Sequence, residues 1–137
     1  MRFKPHCFEI VSDKLIVFSE NKRKLTLENS QKVEVTKVTV DGCEITSSAL
    51  KCDFMAVTSN MEYFVELKGS NVKHAFKQLE SSIHLLSEDK VNTTKRCYVI
   101  STKSPLTSTQ IQIEGKRFKK NYNAVLKVRS NSYKEKL

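Results

Sequence analysis

The strongest constraint on the fold lies between residues 61 and 86, where the periodicity of the chain changes within a few positions. Along residues 61–68 the side chains alternate, with Met61, Tyr63, Val65 and Leu67 on one face and Glu62, Phe64, Glu66 and Lys68 on the other. That repeat of two is the signature of a strand. From Val72 onward, apolar residues recur at Phe76, Leu79, Ile83 and Leu86, one stripe of an amphipathic helix. Gly69 breaks the strand, and Ser70 or Asn71 can cap the helix.

The remaining elements follow from similar patterns. Val33, Val35, Val38 and Val40 alternate with polar neighbours through one change of phase, predicting a strand with a bulge. Asp41-Gly42 predicts a turn, and residues 43–46 a short strand. Residues 52–57, apolar except for Asp53, predict a buried central strand, and residues 96–101, RCYVIS, another. Ile111, Phe118 and Tyr122 mark a second, weaker helix interrupted by Gly115. Residues 123–129 alternate again, with Val125 and Val128 expected inward. The first thirty residues stay open, since Leu15-Ile16-Val17-Phe18 suits either a strand or one face of a short helix. Together these elements predict one α/β domain over residues 1–137, a mixed central β-sheet flanked by helices.

Charge narrows the partner. Lys and Arg number 24 against 15 Asp and Glu, a net charge of +9. Such an excess favours a polyanion, most often nucleic acid. Residues 116–137 concentrate it, with Lys116, Arg117, Lys119, Lys120, Lys127, Arg129, Lys134 and Lys136 against Glu135 alone. The plain alternative is a solubilising tail. Apolar runs of four residues exclude a spanning helix, and the first residues show no apolar export segment, so a cytoplasmic protein with no membrane partner is expected. The cysteines at 7, 43, 52 and 97 form no CxxC pair and are expected as buried thiols. Cys43 and Cys52 can face each other across a hairpin, and with His6 and Cys7 sketch a zinc site whose spacing is unlike a closed structural one. Neither GxxxxGK[ST] nor GxGxxG occurs, which argues against nucleotide-driven chemistry.

Two acids and a lysine break the burial pattern. Asp53 interrupts KCDFMAV, while Glu66 and Lys68 leave the same face of YFVELK. Carboxylates on neighbouring buried strands repel and share protons unless a divalent cation sits between them. Oxygen ligands of this kind suit Mg²⁺ or Mn²⁺, and a lysine beside the cation can serve a water attacking a phosphate. Asp41, in VDGC, is a rival acid, although Asp-Gly turns need no function. Taken plainly, Asp53 is a hairpin residue, and Glu66 and Lys68 are a pair on a solvated sheet face.

Cys52-Asp53, Glu66-Leu67-Lys68 and the helix that follows resemble the active-site signature of the PD-(D/E)xK phosphodiesterases. This superfamily includes restriction endonucleases and archaeal-type Holliday junction resolvases. The resemblance spans residues 33–102 and implies a restriction-endonuclease-like core, βββαβ followed by αβ. It further implies that Asp53, Glu66 and the Leu67 carbonyl hold the metal, that Lys68 serves the water, and that Gln78 flanks the site. Cys52 stands where the signature has proline, and Glu9, Glu20 and Glu28 compete to be the glutamate of the usual first helix. The expected function is metal-dependent hydrolysis of nucleic acid, most simply DNA, either structure-specific or non-specific and in a monomer or a homodimer. A non-catalytic nucleic-acid-binding module and a basic protein-interaction domain of defence or immunity type are the alternatives.

Overall fold

The computed structural model describes residues 2–68, 70–102 and 106–137. A 3-10 turn at Pro5–Cys7 leads into β1 (Phe8–Val11), β2 (Leu15–Glu20), β3 (Arg23–Glu28), β4 (Val35–Thr39), β5 (Phe54–Val57) and β6 (Glu62–Lys68). Then come α1 (Val72–Leu86), β7 (Lys95–Ser101), α2 (Ser108–Tyr122), β8 (Ala124–Ser130) and β9 (Ser132–Lys136). Six strands form a mixed sheet in the order β1-β4-β5-β6-β7-β8, antiparallel up to β6 and parallel from β6 to β8. A second sheet has the order β2-β3-β9. The chain is thus an α/β protein with mixed sheets and two helices among the described residues. The element order expected from residue 33 onward is present as β4-β5-β6-α1-β7-α2-β8.

Parallel neighbours require crossovers, and α1 and α2 supply them. Both steps move the same way along the sheet, so right-handed connections lay both helices on one face. There Val72, Phe76, Leu79 and Ile83 of α1 and Phe118 and Tyr122 of α2 share a core with Met55, Phe64, Cys97 and Val99. On the other face Tyr63, Val65, Leu67, Tyr98 and Ile100 pack against Ile16, Phe18, Leu25 and Leu27 of the second sheet. Helices therefore cover only one side, where the sequence suggested both. The reason is local: Leu15-Ile16-Val17-Phe18 is a strand, and it returns through Asn21 (φ 48°) and Lys22 (φ 69°), the left-handed pair that suits a twisted hairpin.

Double-sided burial explains other differences. β4 holds an unbroken register with β5, so no bulge exists; Val35 fills one core while Val38 and Val40 fill the other. Residues 43–46 form a turn closed by an Asp41–Ile45 bridge rather than a strand, with Gly42 at φ 79°. Asn71 caps α1 by accepting the His74 N–H at 3.1 Å. Helix α2 runs through Gly115 behind a Thr107–Gln110 capping box. In β8, Val125 is exposed, and Ala124, Leu126 and Val128 face the helices. The expected break at Gly69 lies outside the described residues.

Cys7 and Cys43 are joined by a disulfide, leaving Cys52 and Cys97 as the buried free thiols. The expectation of four thiols thus fails for two, and Cys43 does not face Cys52. A disulfide is characteristic of oxidising compartments, which runs against the cytoplasmic expectation. No helix among the described residues is long and apolar enough to cross a membrane.

At the amino end of β7 the Lys95 side chain is fully buried. Its ammonium donates to the carbonyls of Asp89 (3.0 Å), Lys90 (3.2 Å), Thr93 (2.6 Å) and Tyr122 (2.9 Å), tying the α1–β7 loop to the end of α2. Lys95→Met keeps the stem but strands these acceptors, so stability in a urea titration should fall by about 2–4 kcal/mol. A change below ~0.5 kcal/mol would show that the loop does not depend on the ammonium.

Candidate functional site

Where the two cores end, at the carboxyl ends of β6 and β7, polar side chains replace apolar ones on the helix face. Asp53 precedes β5, and the register that sets Phe54 opposite Val65 brings it beside Glu66. Asp53 is anchored through backbone and side chain: its N–H donates to the Val65 carbonyl (3.1 Å), and its Oδ2 accepts the Leu67 N–H (2.8 Å). Helix α1 holds the approach to Asp53 from the side. Gln78 Nε2 donates to the Lys51 carbonyl (3.1 Å), and Ser82 Oγ accepts the Cys52 N–H (2.8 Å), one turn apart on the same helix.

The acid pair is held under electrostatic tension. Burial, aided by the charges of Glu20 and Asp41 and opposed by the Leu67 N–H, raises the Asp53 carboxyl to about 6. Burial and then the Asp53 charge push Glu66 up to about 8, with Lys68 pulling the other way. Glu66 is 3% exposed, and its Oε1 has no hydrogen-bond partner. Buried polar oxygens rarely remain single, so this atom asks for either a proton or a cation. Two more buried atoms lack partners on this face, Gln78 Oε1 and Ser101 Oγ, and Ser101 lies in register with Lys68.

The structure therefore brings Asp53, Glu66 and Lys68 together and places Gln78 against Lys51, two residues before Asp53. The Leu67 carbonyl turns to the same side as its N–H, toward Asp53, because both groups of one strand residue face the same neighbour. Asp41 is exposed; its backbone N–H donates to the Asp53 carbonyl (3.4 Å), and its carboxylate acts on the Asp53 carboxyl through its charge. Of the glutamates weighed from sequence, Glu20, at the end of β2, is the one whose charge acts on Asp53. Among the described residues, neither Asp41 nor Glu20 closes with Asp53 and Glu66 into a set of three ligand atoms at metal-binding distance.

The basic residues divide differently from their order in sequence. Arg117 is committed to Glu80 and Glu114, and Lys127 to Glu135. Arg129 lies over the Tyr133 ring, 4.8 Å from its centroid. Lys116, Lys119 and Lys120 are exposed on α2. That helix returns to the amino end of β8, and the Asn123 that ends it contacts Asn92 and Lys95. Lys119 and Lys120 thus lie at the end of the sheet opposite Glu66. Among the described residues, the cations toward the acid end include Lys68, Lys22 and Arg23 of the β2–β3 hairpin, and Lys73 and Lys77 of α1. The hairpin is fastened there by Arg23 to Thr102 Oγ1 (3.2 Å) and by the Lys24 N–H to Asn131 (2.9 Å). Sequence reasoning singled out Lys68 but missed Lys22 and Arg23, because the segment that carries them was open between strand and helix. Compared with family models, curated proteins and solved structures, the chain finds no match, and the superfamily resemblance rests on its own residues.

The raised carboxyls fix the sign of a pH effect. The native state keeps protons that the unfolded state releases, so stability without added metal should decline as pH rises from about 4.5 to about 8. Glu66→Gln should flatten that slope and stabilise the protein at pH 8 by on the order of 2 kcal/mol. Urea titrations in chelator from pH 5 to 9 measure it, and an unchanged slope in Glu66→Gln would show that the pair is not in charge conflict.

Proposed function

We propose that the chain is a metal-dependent phosphodiesterase acting on nucleic acid, most simply DNA, with a restriction-endonuclease-like core. The observation that carries this reading is the pairing of half-buried Asp53 with buried Glu66, whose Oε1 is unpartnered, next to Lys68 at the carboxyl ends of the central strands. Ligands of α/β sheets characteristically bind at those ends.

The donor set fits a hard divalent cation: two carboxylates that repel without one, an orphaned oxygen and a carbonyl facing the same side. Asp53, Glu66 and the Leu67 carbonyl would hold Mg²⁺ or Mn²⁺, with water completing the shell. When bound, the cation supplies a stronger nucleophile at neutral pH and charge stabilisation at the phosphate. Lys68 orients the attacking water and meets the charge that grows on the phosphate oxygens. The Leu67 N–H fixes the aim of Asp53, while Gln78 and Ser82 lock the segment that carries it. Lys22, Arg23, Lys73 and Lys77 offer phosphate contacts at the same end, and Lys116, Lys119 and Lys120 form a separate patch on α2.

Cleavage of supercoiled plasmid, four-way junction and single strand with Mn²⁺ or Mg²⁺ tests the reading. Asp53→Asn should lose metal affinity and cleavage, yet bind nucleic acid in chelator as well as or better than the wild type. Lys68→Ala should bind metal almost normally and cleave on the order of 10²-fold more slowly. Normal cleavage by Asp53→Asn would overturn the site.

A salt titration separates the two basic surfaces. Each phosphate that the protein no longer neutralises reduces the salt slope by roughly one unit. Replacing Lys22, Lys73 and Lys77 together by alanine should flatten the slope by up to about three and slow cleavage. Replacing Lys116, Lys119 and Lys120 should flatten the slope without touching single-turnover cleavage at saturating protein. A wild-type salt slope that neither triple variant changes would instead favour a protein partner.

A further inference from the structure

A second cluster of ligand-type side chains stands apart from the acid pair, where the Pro5–Cys7 turn meets the turn after β4. The His6 ring and the Cys7 and Cys43 sulfurs all lie within 4.8 Å of one another. His6 is exposed, and its ring has no hydrogen-bond partner among the described residues. The two segments are also held together by bonds other than the disulfide. The Lys4 N–H donates to Glu44 Oε1 (2.8 Å) and Lys4 Nζ to the Cys43 carbonyl (3.4 Å). The Glu44 and Ile45 N–H groups donate to Thr39 and Val40, and β1 pairs along β4. Phe3, just upstream, is buried in the core beneath the helices. These bonds keep the two backbone segments together without the disulfide, so Cys7, Cys43 and His6 stay on neighbouring turns.

We propose that this cluster, once reduced, is a binding site for a thiophilic divalent cation of the zinc kind. Cys7 and Cys43 supply thiolates, His6 supplies an imidazole nitrogen, and solvent takes the fourth position. Two thiolates and an imidazole are a donor set zinc favours over the hard cations suited to Asp53 and Glu66. Thiolates on one zinc stand roughly 3.7 Å apart, given the usual zinc–sulfur bond and tetrahedral angles. Parting the bonded sulfurs to that spacing needs side-chain rotation and no movement of the turns. The conversion balances with a dithiol reductant. The disulfide accepts two electrons and two protons as the dithiol closes to its own disulfide, and metal binding then releases both thiol protons to solvent. Disulfide and metal exclude each other, so the site loads only under reducing conditions. Cys52 and Cys97 do not compete, since both are fully buried and burial pushes the Cys52 thiol up to about 12.

The test uses the full chain, reduced with a phosphine, freed of reductant under anaerobic conditions and titrated with Co²⁺, then Zn²⁺. A thiolate-to-cobalt band in the near ultraviolet that saturates at one Co²⁺ per chain and is displaced by one Zn²⁺ is expected, and no such band with the disulfide intact. Cys43→Ser should abolish the band, His6→Ala should weaken binding at least tenfold, and Cys52→Ser should bind as the wild type does. Circular dichroism before metal addition checks that the reduced chain remains folded. The proposal is overturned if the folded reduced chain shows no thiolate-to-cobalt band, or if the band survives in Cys43→Ser or appears at unchanged Co²⁺ concentration in His6→Ala. It is equally overturned if reduction unfolds the chain, because the disulfide is then structural and no preformed site exists. Asp53 and Glu66 take no part, so this result and that of the cleavage assay are independent.

Discussion

Burial of β6 on both faces is the constraint from which the rest of the molecule follows. Six of its seven residues are buried, and no sheet is covered twice without a layer on each side. The helices that carry the chain to β7 and β8 provide one layer, and the β2–β3–β9 sheet the other. A carboxylate on such a strand has no water to turn to. At the amino end Glu62 is satisfied by Arg2, the Ser87 hydroxyl and the Glu88 N–H. At the carboxyl end Glu66 meets another acid and keeps an oxygen without a partner. Two glutamates four residues apart on one strand face thus have opposite fates: one is resolved by internal hydrogen bonds, the other left in conflict. That contrast distinguishes a structural buried acid from one whose environment calls for a ligand.

The net charge of the chain is a poor map of its free cations. Arg117 clamps α2 to α1 through Glu80, and the Tyr122 hydroxyl joins the same carboxylate (2.7 Å). Glu135, the sole acid in the basic C-terminal stretch, draws Lys127, Arg96, Tyr98 and Tyr133 onto itself and so fastens β9 across the main sheet. Internal ion pairs and topology together leave the cations nearest the acid pair outside the basic C-terminal stretch, in the Lys22-Arg23 hairpin and on α1.

Much of the α/β core could be read from sequence because its signals are local. The period change after Lys68, the apolar run at residues 54–57 and the stripe on α1 each need only a few neighbouring residues to be recognised. The juxtaposition of Asp53 with Glu66 was also accessible, since alternation places Glu66 and Lys68 on one face and the intervening turn is short. What stayed hidden depends on distant partners. Whether Leu15-Ile16-Val17-Phe18 is a strand is decided by Leu25, Leu27 and the far face of β6. Residues 132–136 have no apolar alternation and become a strand because β3 offers an open edge and Glu135 finds four partners. The Cys7–Cys43 pairing likewise follows from β1 lying along β4, which no spacing rule contains.

The parallel pairing of β3 with β9 joins Lys24 to Ser132, segments about a hundred residues apart. During synthesis β2 and β3 can close as a hairpin early, yet the sheet that shields Tyr63, Val65, Tyr98 and Ile100 lacks its third strand until the chain has passed β8. Pairings of such long range are entropically slow to form, and unpaired edges over apolar strands invite association with other chains. The order of emergence from the ribosome therefore leaves a window in which one core is already closed by helices while the other remains partly open. The vulnerable species of this protein is that half-covered sheet rather than the native molecule.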